Sequence, residues 1–250
     1  MSRNEQKMKN KERNDKIVEF LKANKQATVS ELSQMLFVSE TTVRRTLDEL
    51  QDLGLVERTH GGAVLHENAD EISVFVRVNK NAKEKEQVAN VALGCLPEFG
   101  TLFLDSSTTA LALAVRLNLS HKTVVTNNLQ AALLLSGRRD VSLIFLGGEV
   151  LYRSNSVAGS MTMRELSGMR FDLMLCSCTA ISEDGAFENS LGQCEIKRLA
   201  FGGSRKRILL ADSSKFSERG SYLMAPLSDF DLIITDKQPP FSAPNIRFEV

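Results

Sequence analysis

A series of short apolar runs, each halted by a small polar cluster, restricts this chain more than any other feature. Thr101–Leu104 stops at Asp105, Thr123–Val125 at Thr126, Asn127 and Asn128, and Val141–Leu146 at Gly147, Gly148 and Glu149. Phe171–Leu175 runs into Cys176, Ser177, Cys178 and Thr179, Arg207–Ala211 into Asp212, Ser213, Ser214 and Lys215, and Asp231–Ile234 into Thr235 and Asp236. Continuous apolar strands of this kind are buried on both faces, and helical stretches between them (Leu111–Leu117, Leu129–Leu135, Cys194–Phe201) supply the cover. The expectation is an α/β domain built on a mainly parallel sheet. With 250 residues, 42% of them hydrophobic, there is room for that sheet and for a second, smaller domain.

Charge narrows the function. Lys+Arg and Asp+Glu both count 31, so the net charge is zero. This excludes a protein acting through bulk positive charge, and it excludes a disordered polyelectrolyte. No apolar run approaches the roughly 18–20 residues of a membrane span, and the opening residues are charged, unlike a signal peptide. Cys95, Cys176, Cys178 and Cys194 are too few and too irregular for a disulfide framework. Zinc wants paired ligand clusters, and His60, His66 and His121 stand at no ligand spacing to Cys176 and Cys178. The chain reads as cytoplasmic, without a membrane partner, metal or cofactor.

The neutral total conceals a basic beginning. Met1 to Lys25 holds eight basic residues against four acidic ones, and Ile17, Val18, Phe20 and Leu21 give it a short apolar helical face. Ser30 then stands as N-cap before the short helix Glu31–Leu36, Phe37 and Val38 interrupt, and Ser39 caps a second helix from Glu40 to about Leu53. Val43, Leu47 and Leu50 fall at i, i+4 and i+7, one buried stripe, and Thr41, Arg44, Arg45 and Asp48 turn away from it. Two short helices joined by a tight turn, the second offering hydroxyls and paired guanidinium groups, match a helix-turn-helix reader of duplex DNA. Leu55–Arg58 and Ala63–Leu65, either side of Thr59, His60, Gly61 and Gly62, form a hairpin that serves as the wing, with Arg58 and His60 beside the phosphate backbone or the minor groove.

Ser39-Glu40-Thr41-Thr42-Val43-Arg44-Arg45-Thr46-Leu47-Asp48-Glu49-Leu50, followed by Arg58-Thr59-His60-Gly61-Gly62-Ala63, closely resembles the N-terminal signature of DeoR-family bacterial transcriptional regulators. The resemblance departs at Thr46, where that family usually carries Asp. It implies DNA contacts from Ser39, Thr41, Thr42, Arg44, Arg45, Arg58 and His60. One such helix reads few base pairs, so a dimer or tetramer is expected on symmetric half-sites spaced by roughly 34–36 Å or a multiple. Contact between subunits is expected through the α/β domain and the linker helix.

The domains are expected at 1–65 for the winged helix, 66–80 for a polar, partly extended linker, and 81–250 for the α/β domain. The latter opens with a helix over Asn81–Leu96 whose apolar side is Val88, Val91, Ala92 and Cys95. The carboxyl ends of strands in an open α/β sheet converge on a crevice where ligands bind. Asp105, Ser106, Ser107, Thr108 and Thr109 enter a helix directly, so hydroxyls and backbone N–H groups there can cradle an anion. Lys197 and Lys215 can balance a phosphate, while Asp105, Asn127 and Asp212 can meet sugar hydroxyls.

The family resemblance extends over this half as well. The family's pattern of an Asp-x-Gly-Thr-Thr loop, a Thr-Asn pair, a Gly-Gly pair, a late Lys-Arg and an Asp-x-Ser-Lys is matched by Asp105–Thr109, Thr126 and Asn127, Gly147 and Gly148, Lys197 and Arg198, and Asp212–Lys215. It implies a fold similar to ribose-phosphate isomerases and a phosphorylated sugar or polyol as the effector that controls DNA binding. Ser107 departs from the loop glycine, Ser177 and Ala180 stand where relatives often have glycine, and Gln193 replaces a customary Glu. Two other readings compete: a sugar-phosphate isomerase-like enzyme using Asp105, Glu149, Glu188 or Glu195 as a base, and a regulator that no longer binds an effector.

Overall fold

A helix of 22 residues, α1 (Arg3–Asn24), opens the chain and ends where Lys25 turns left-handed at φ 65°. Ile17 and Leu21, one helical turn apart, point its apolar face inward and are fully buried. This computed structural model describes residues 3–52, 55–65, 74–242 and 245–248. They fall into two compact units, Met1–Val76 and Arg77–Val250.

After α1 comes a three-residue strand, β1 (Gln26–Thr28), and then α2 (Val29–Leu36). Its cap is Thr28, not the expected Ser30. The Thr28 hydroxyl accepts from Glu31 N at 3.2 Å and the Glu31 carboxylate accepts from Thr28 N at 2.7 Å. This reciprocal box needs Glu three residues after the cap, and only Thr28 has one at that spacing; Ser30 is followed there by Ser33. Phe37, left-handed at φ 53°, ends α2. The Ser39 hydroxyl accepts from Thr42 N at 3.3 Å and starts α3 (Glu40–Asp52), while Leu53 lies outside the described residues.

Val43, Leu47 and Leu50 are fully buried, as the 3.6-residue period predicts, against Ile17, Leu21, Val29 and Leu32. The hairpin follows as β2 (Val56–Thr59) and β3 (Gly62–Leu65), turning at Gly61 with φ 95°. β1 adds antiparallel to β3, completing a sheet ordered β1-β3-β2. So short a strand leaves no periodic signal in sequence.

A short helix, α4 (Val74–Asn79), precedes α5 (Ala82–Leu93). The first corrects the reading of this stretch as extended linker; residues 66–73 lie outside the description. Alternating β-branched residues favour extension in isolation, but the buried Lys85 ammonium donates to the carbonyls of Arg77 and Lys80, the latter at 2.7 Å, satisfying the helix end. α5 stops earlier than expected, so Cys95 is exposed and not part of its apolar side.

From there strand and helix alternate: β4 (Thr101–Leu104), α6 (Thr108–Ala114), β5 (Thr123–Thr126), α7 (Leu129–Ser136) and β6 (Ser142–Phe145). A hairpin of β7 (Glu149–Leu151) and β8 (Ser156–Ala158) leads to α8 (Ser160–Ser167) and β9 (Phe171–Cys176). β10 (Ala180–Ser182) and β11 (Gly185–Glu188) precede α9 (Leu191–Gly203), β12 (Ser204–Ala211), β13 (Tyr222–Ala225), β14 (Leu232–Thr235) and β15 (Ile246–Phe248).

Seven of these strands form one sheet, ordered β15-β14-β12-β9-β4-β5-β6 and parallel throughout. Leu102 and Leu104 pack on one face and Phe103 on the other, each into its own apolar layer. The antiparallel pair β7-β8 and the trio β10-β11-β13 are separate additions. Among the described residues no helix is long and apolar enough to cross a membrane.

The strand order has a direct consequence. The chain leaves β4 toward β5 and β6, and leaves β9 toward β12 and β14, so the connections part in opposite directions between two neighbours. That is the topological switch point, where an open parallel sheet leaves a crevice.

Replacing Thr28 by Ala removes the cap and is expected to destabilise the N-terminal unit by about 1 kcal/mol. Urea denaturation checks this: the midpoint falls with an unchanged slope, and an unmoved midpoint would show that the box contributes nothing.

Candidate functional site

The switch point is held by charge. Asp105 follows β4 and is almost fully buried. One of its carboxylate oxygens accepts from Ser177 N and from the Lys197 ammonium of α9, both at 3.0 Å. The other accepts from Ser107 N at 2.9 Å and from the Ser107 hydroxyl. Lys197 also donates to Ser177 O at 2.7 Å and ion-pairs with Glu188, whose second oxygen accepts from the Thr179 hydroxyl at 2.8 Å. Burial pushes the Lys197 ammonium down, but the Asp105 and Glu188 carboxylates outweigh it and hold the group above the ordinary lysine range. The thiols of Cys176 and Cys178 stand in the same apolar layer, and burial drives both up, Cys178 to about 12.

Above this frame lies a small cleft. Ser107, Thr108, Thr109, Asp212 and Lys215, all expected from the sequence, line it together with Ser177 and Cys178. Arg77, Lys80, Asn81 and Lys85 complete the wall and were not foreseen. Arg77 and Lys80 fall in the stretch read as linker, and Asn81 and Lys85 in the helix expected after it; the helical fold of α4 and α5 brings them to one place. Four cationic side chains and one carboxylate thus converge on one small cleft. Burial pulls Lys85 down to about 8; Asp212 opposes the fall, while Lys215, Arg77 and Lys80 deepen it.

Asp212 is the other unusual member. One oxygen accepts from Asn81 Nδ2 at 3.2 Å, Ser214 N at 3.3 Å and the Ser214 hydroxyl. The second is buried and has no hydrogen-bond partner among the described residues. Such an acceptor carries the full cost of its lost hydration until a donor arrives.

Other expected residues lie outside the cleft's lining. The Thr126 hydroxyl donates to Leu104 O at 2.7 Å, and Asn127 Nδ2 donates to Val157 O at 3.1 Å. Ser106 donates to Gln193 Oε1 at 2.9 Å, while Gln193 Nε2 donates to Ser156 at 2.6 Å and Ser154 at 3.3 Å. A neutral amide, Gln193, therefore holds this buried hydroxyl cluster. Gly147 N donates to Glu165 at 2.8 Å, and a Cβ on Gly148, at φ 150°, would stand 2.0 Å from Thr162 Oγ1. Gly148 is required by packing and by its backbone conformation, while a Cβ on Gly147 would meet only the ends of flexible side chains, the nearest that of Glu165 at 3.2 Å. Ser107, in place of the loop glycine, accepts from Ala110 N at 3.1 Å and caps α6. Of the carboxylates considered as bases, Asp105 and Glu188 grip Lys197 and Glu149 is exposed.

On the N-terminal unit, Thr41, Arg44 and Arg45 are exposed along α3. Arg44 pairs with Glu40 at 2.9 Å, and Arg45 has no side-chain partner among the described residues. Ser39 and Thr42 share a hydrogen bond of 2.9 Å at the helix start. Thr46 is buried and donates back to Thr42 O at 2.9 Å. His60 is exposed at the hairpin turn. Arg58 is tied inward: it ion-pairs with Asp48 and donates to Arg44 O at 3.3 Å, binding the wing to α3.

The family description "DeoR-like helix-turn-helix domain" matches residues 13–69, and "DeoR C terminal sensor domain" matches residues 80–237. The chain belongs to the DeoR family of transcriptional regulators. It is 33% identical over 237 residues to the glycerol-3-phosphate regulon repressor of Escherichia coli, covering 94% of each. To the lactose phosphotransferase system repressor of Lactococcus lactis it is 33% identical over 236 residues, covering 92% of each. Among solved structures, ribose 5-phosphate isomerase A from Methanocaldococcus jannaschii aligns with 54% of each chain at 14% identity, with a TM-score of 0.37. The fold class rests on the strand order itself.

Lys197→Met would leave Asp105 and Glu188 buried without a counter-charge. It is expected to destabilise the C-terminal unit by about 3–5 kcal/mol; chemical denaturation checks it, and a loss below about 1 kcal/mol would show that the frame does not depend on this ion.

Proposed function

We propose that the chain is a repressor of a carbohydrate operon, binding paired operator half-sites through α3 and controlled by a small phosphorylated sugar or polyol held in the cleft. The observation that carries the effector reading is the coincidence, in one small space, of clustered cations and a buried carboxylate oxygen without a donor. The cations suit a phosphate dianion, and the Asp212 oxygen suits a sugar hydroxyl. Lys85, Lys215, Arg77 and Lys80 face the phosphate, Ser107, Thr108 and Thr109 bring hydroxyls, and Asp212 orients the polyol. Asp105, Ser106, Thr126, Asn127, Gly147, Gly148 and Lys197 hold the frame and do not touch the ligand. Relatives named for glycerol-3-phosphate and for a phosphotransferase system support the same ligand class.

The regulator then acts by population shift: the effector binds more tightly to the arrangement of subunits that does not match the operator, or to the one that does. Thr41, Thr42, Arg44 and Arg45 meet bases and phosphates, Ser39 and His60 meet the backbone, and Arg58 fixes the wing. A regulator of this kind needs no catalytic step, and Asp105 and Glu188, two of the carboxylates considered as bases, are committed to Lys197.

Isothermal titration of a sugar-phosphate panel tests the cleft. A phosphate ester is a dianion above pH 7, so its affinity is expected to fall as pH rises through about 8, where Lys85 loses its proton. Lys85→Gln is expected to weaken binding at pH 7 and to flatten that profile; an unchanged profile would remove Lys85 from the site. For the DNA contacts, Arg45→Ala is expected to lose about 1–3 kcal/mol of operator affinity with folding intact. Wild-type affinity in that variant would refute the assignment.

A further inference from the structure

The outer edge of the parallel sheet is unprotected. β6, Ser142–Phe145, is the last strand on its side and holds no charge, proline or bulge, the usual devices that keep an exposed edge from pairing. Ile144 is 40% and Phe145 38% exposed, and on the neighbouring α7 Leu133 is 79% and Leu134 42% exposed. Contiguous exposed apolar groups beside an open edge are the mark of an interaction surface.

The hydrogen bonds of β6 decide what fits it. Ser142 N donates to Lys122 O and Leu146 N to Thr126 O, both toward β5. In a parallel ladder the N–H and C=O of one residue point to the same side and alternate along the strand. Ser142, Ile144 and Leu146 therefore face β5, and Leu143 and Phe145 present their backbone groups outward.

We infer that β6 pairs antiparallel with β6 of a second copy, about a two-fold axis through Ile144. Leu143 then exchanges both backbone bonds with Phe145 of the other copy, and the reverse pair repeats it. This register uses the two outward residues of the strand with no need of the loops. The seven-stranded sheet runs on into its partner, and Leu133 and Leu134 of the two α7 helices come under the joint. Charge agrees. Before the strand Arg138 pairs with the exposed Asp140 at 2.8 Å and leaves the exposed Arg139 as the net charge, the exposed Glu149 follows the strand, and an antiparallel match lays Arg139 of one copy toward Glu149 of the other. An isologous contact of this sort closes after two copies. Choosing a second copy as occupant rests on the proposal that this regulator reads paired half-sites.

The test is made without DNA, so that its failure is separate from failure of the operator reading. Ile144 is half-exposed, so Ile144→Lys is tolerated by the fold, checked by circular dichroism and thermal midpoint. Sedimentation is expected to show that Ile144→Lys halves the assembled mass, because two like charges meet on the axis. Mixing equal amounts of Ile144→Lys and Ile144→Glu is expected to restore it. Residues facing across the axis in a non-hydrogen-bonded pair lie about 4.5 Å apart at Cα, within disulfide reach. Ile144→Cys is therefore expected to cross-link on oxidation where the wild type, with its exposed Cys95, does not. A wild-type mass in Ile144→Lys, no recovery on mixing, or a monomeric wild type at tens of micromolar would overturn the proposal. A peptide of another protein on this edge would give the last of these results.

Discussion

The buried ammonium of Lys197 is the interaction on which the C-terminal unit depends. It joins three connections that would otherwise part: the loop after β4 through Asp105, the loop after β9 through Ser177 O, and the end of β11 through Glu188. A switch point is by construction the place where a parallel sheet has no covalent connection between neighbouring strand ends. Here the gap is spanned by one cation and two carboxylates, and Asp105 ties the two loops directly through Ser177 N. Ions buried this way add little to stability over apolar packing but are costly to break singly. What they provide is geometry: the hydroxyls of Thr108 and Thr109 and the floor at Ser177 are held in place above them.

That frame separates residues that position from residues that are available to a ligand. Asp105 and Lys197 resemble ligand groups in sequence, yet their bonding capacity is filled from within. Asp212 and Lys85 are different. Asp212 keeps one oxygen without a donor, and Lys85 is charged in a place where burial and three neighbouring cations disfavour charge. Under the proposed function both are relieved by the same event, arrival of a phosphorylated polyol. Lys85 also holds the end of α4, the helix that carries the chain from the N-terminal unit into the sensor. An effector's phosphate and the last carbonyls of α4 therefore draw on one ammonium, which gives the cleft a physical link to the connection between the units.

Much of this architecture was legible in the residues. Six strands of the main sheet followed from uninterrupted apolar runs, and the α3 stripe from Val43, Leu47 and Leu50, because burial on two faces or one leaves a periodic trace. β1 and β15 were not legible, since three residues are too few for a period. The cap at Thr28 was missed in favour of Ser30 because a serine before a helix is a weaker sign than the reciprocal spacing to Glu31. In the cleft, the strand-end residues Ser107, Thr108, Thr109, Asp212 and Lys215 were readable from the rule that carboxyl ends converge. Arg77 and Lys80 were not, since they come from a segment whose local preference is extended, and Asn81 and Lys85 were not, since a helix expected from its apolar side does not show where its polar residues meet the strand ends.

The central claim is that one chain couples a phosphate-ester cleft to a DNA-reading helix. Fluorescence anisotropy of a labelled operator duplex, titrated with the chain at fixed salt in the presence and absence of a saturating sugar phosphate, tests it most directly. The account predicts a change in operator affinity of about 5–150-fold with the correct ligand, and none with the same ligand in Asp212→Asn. Equal affinity with every member of a broad panel, or a full response in Asp212→Asn, would contradict it.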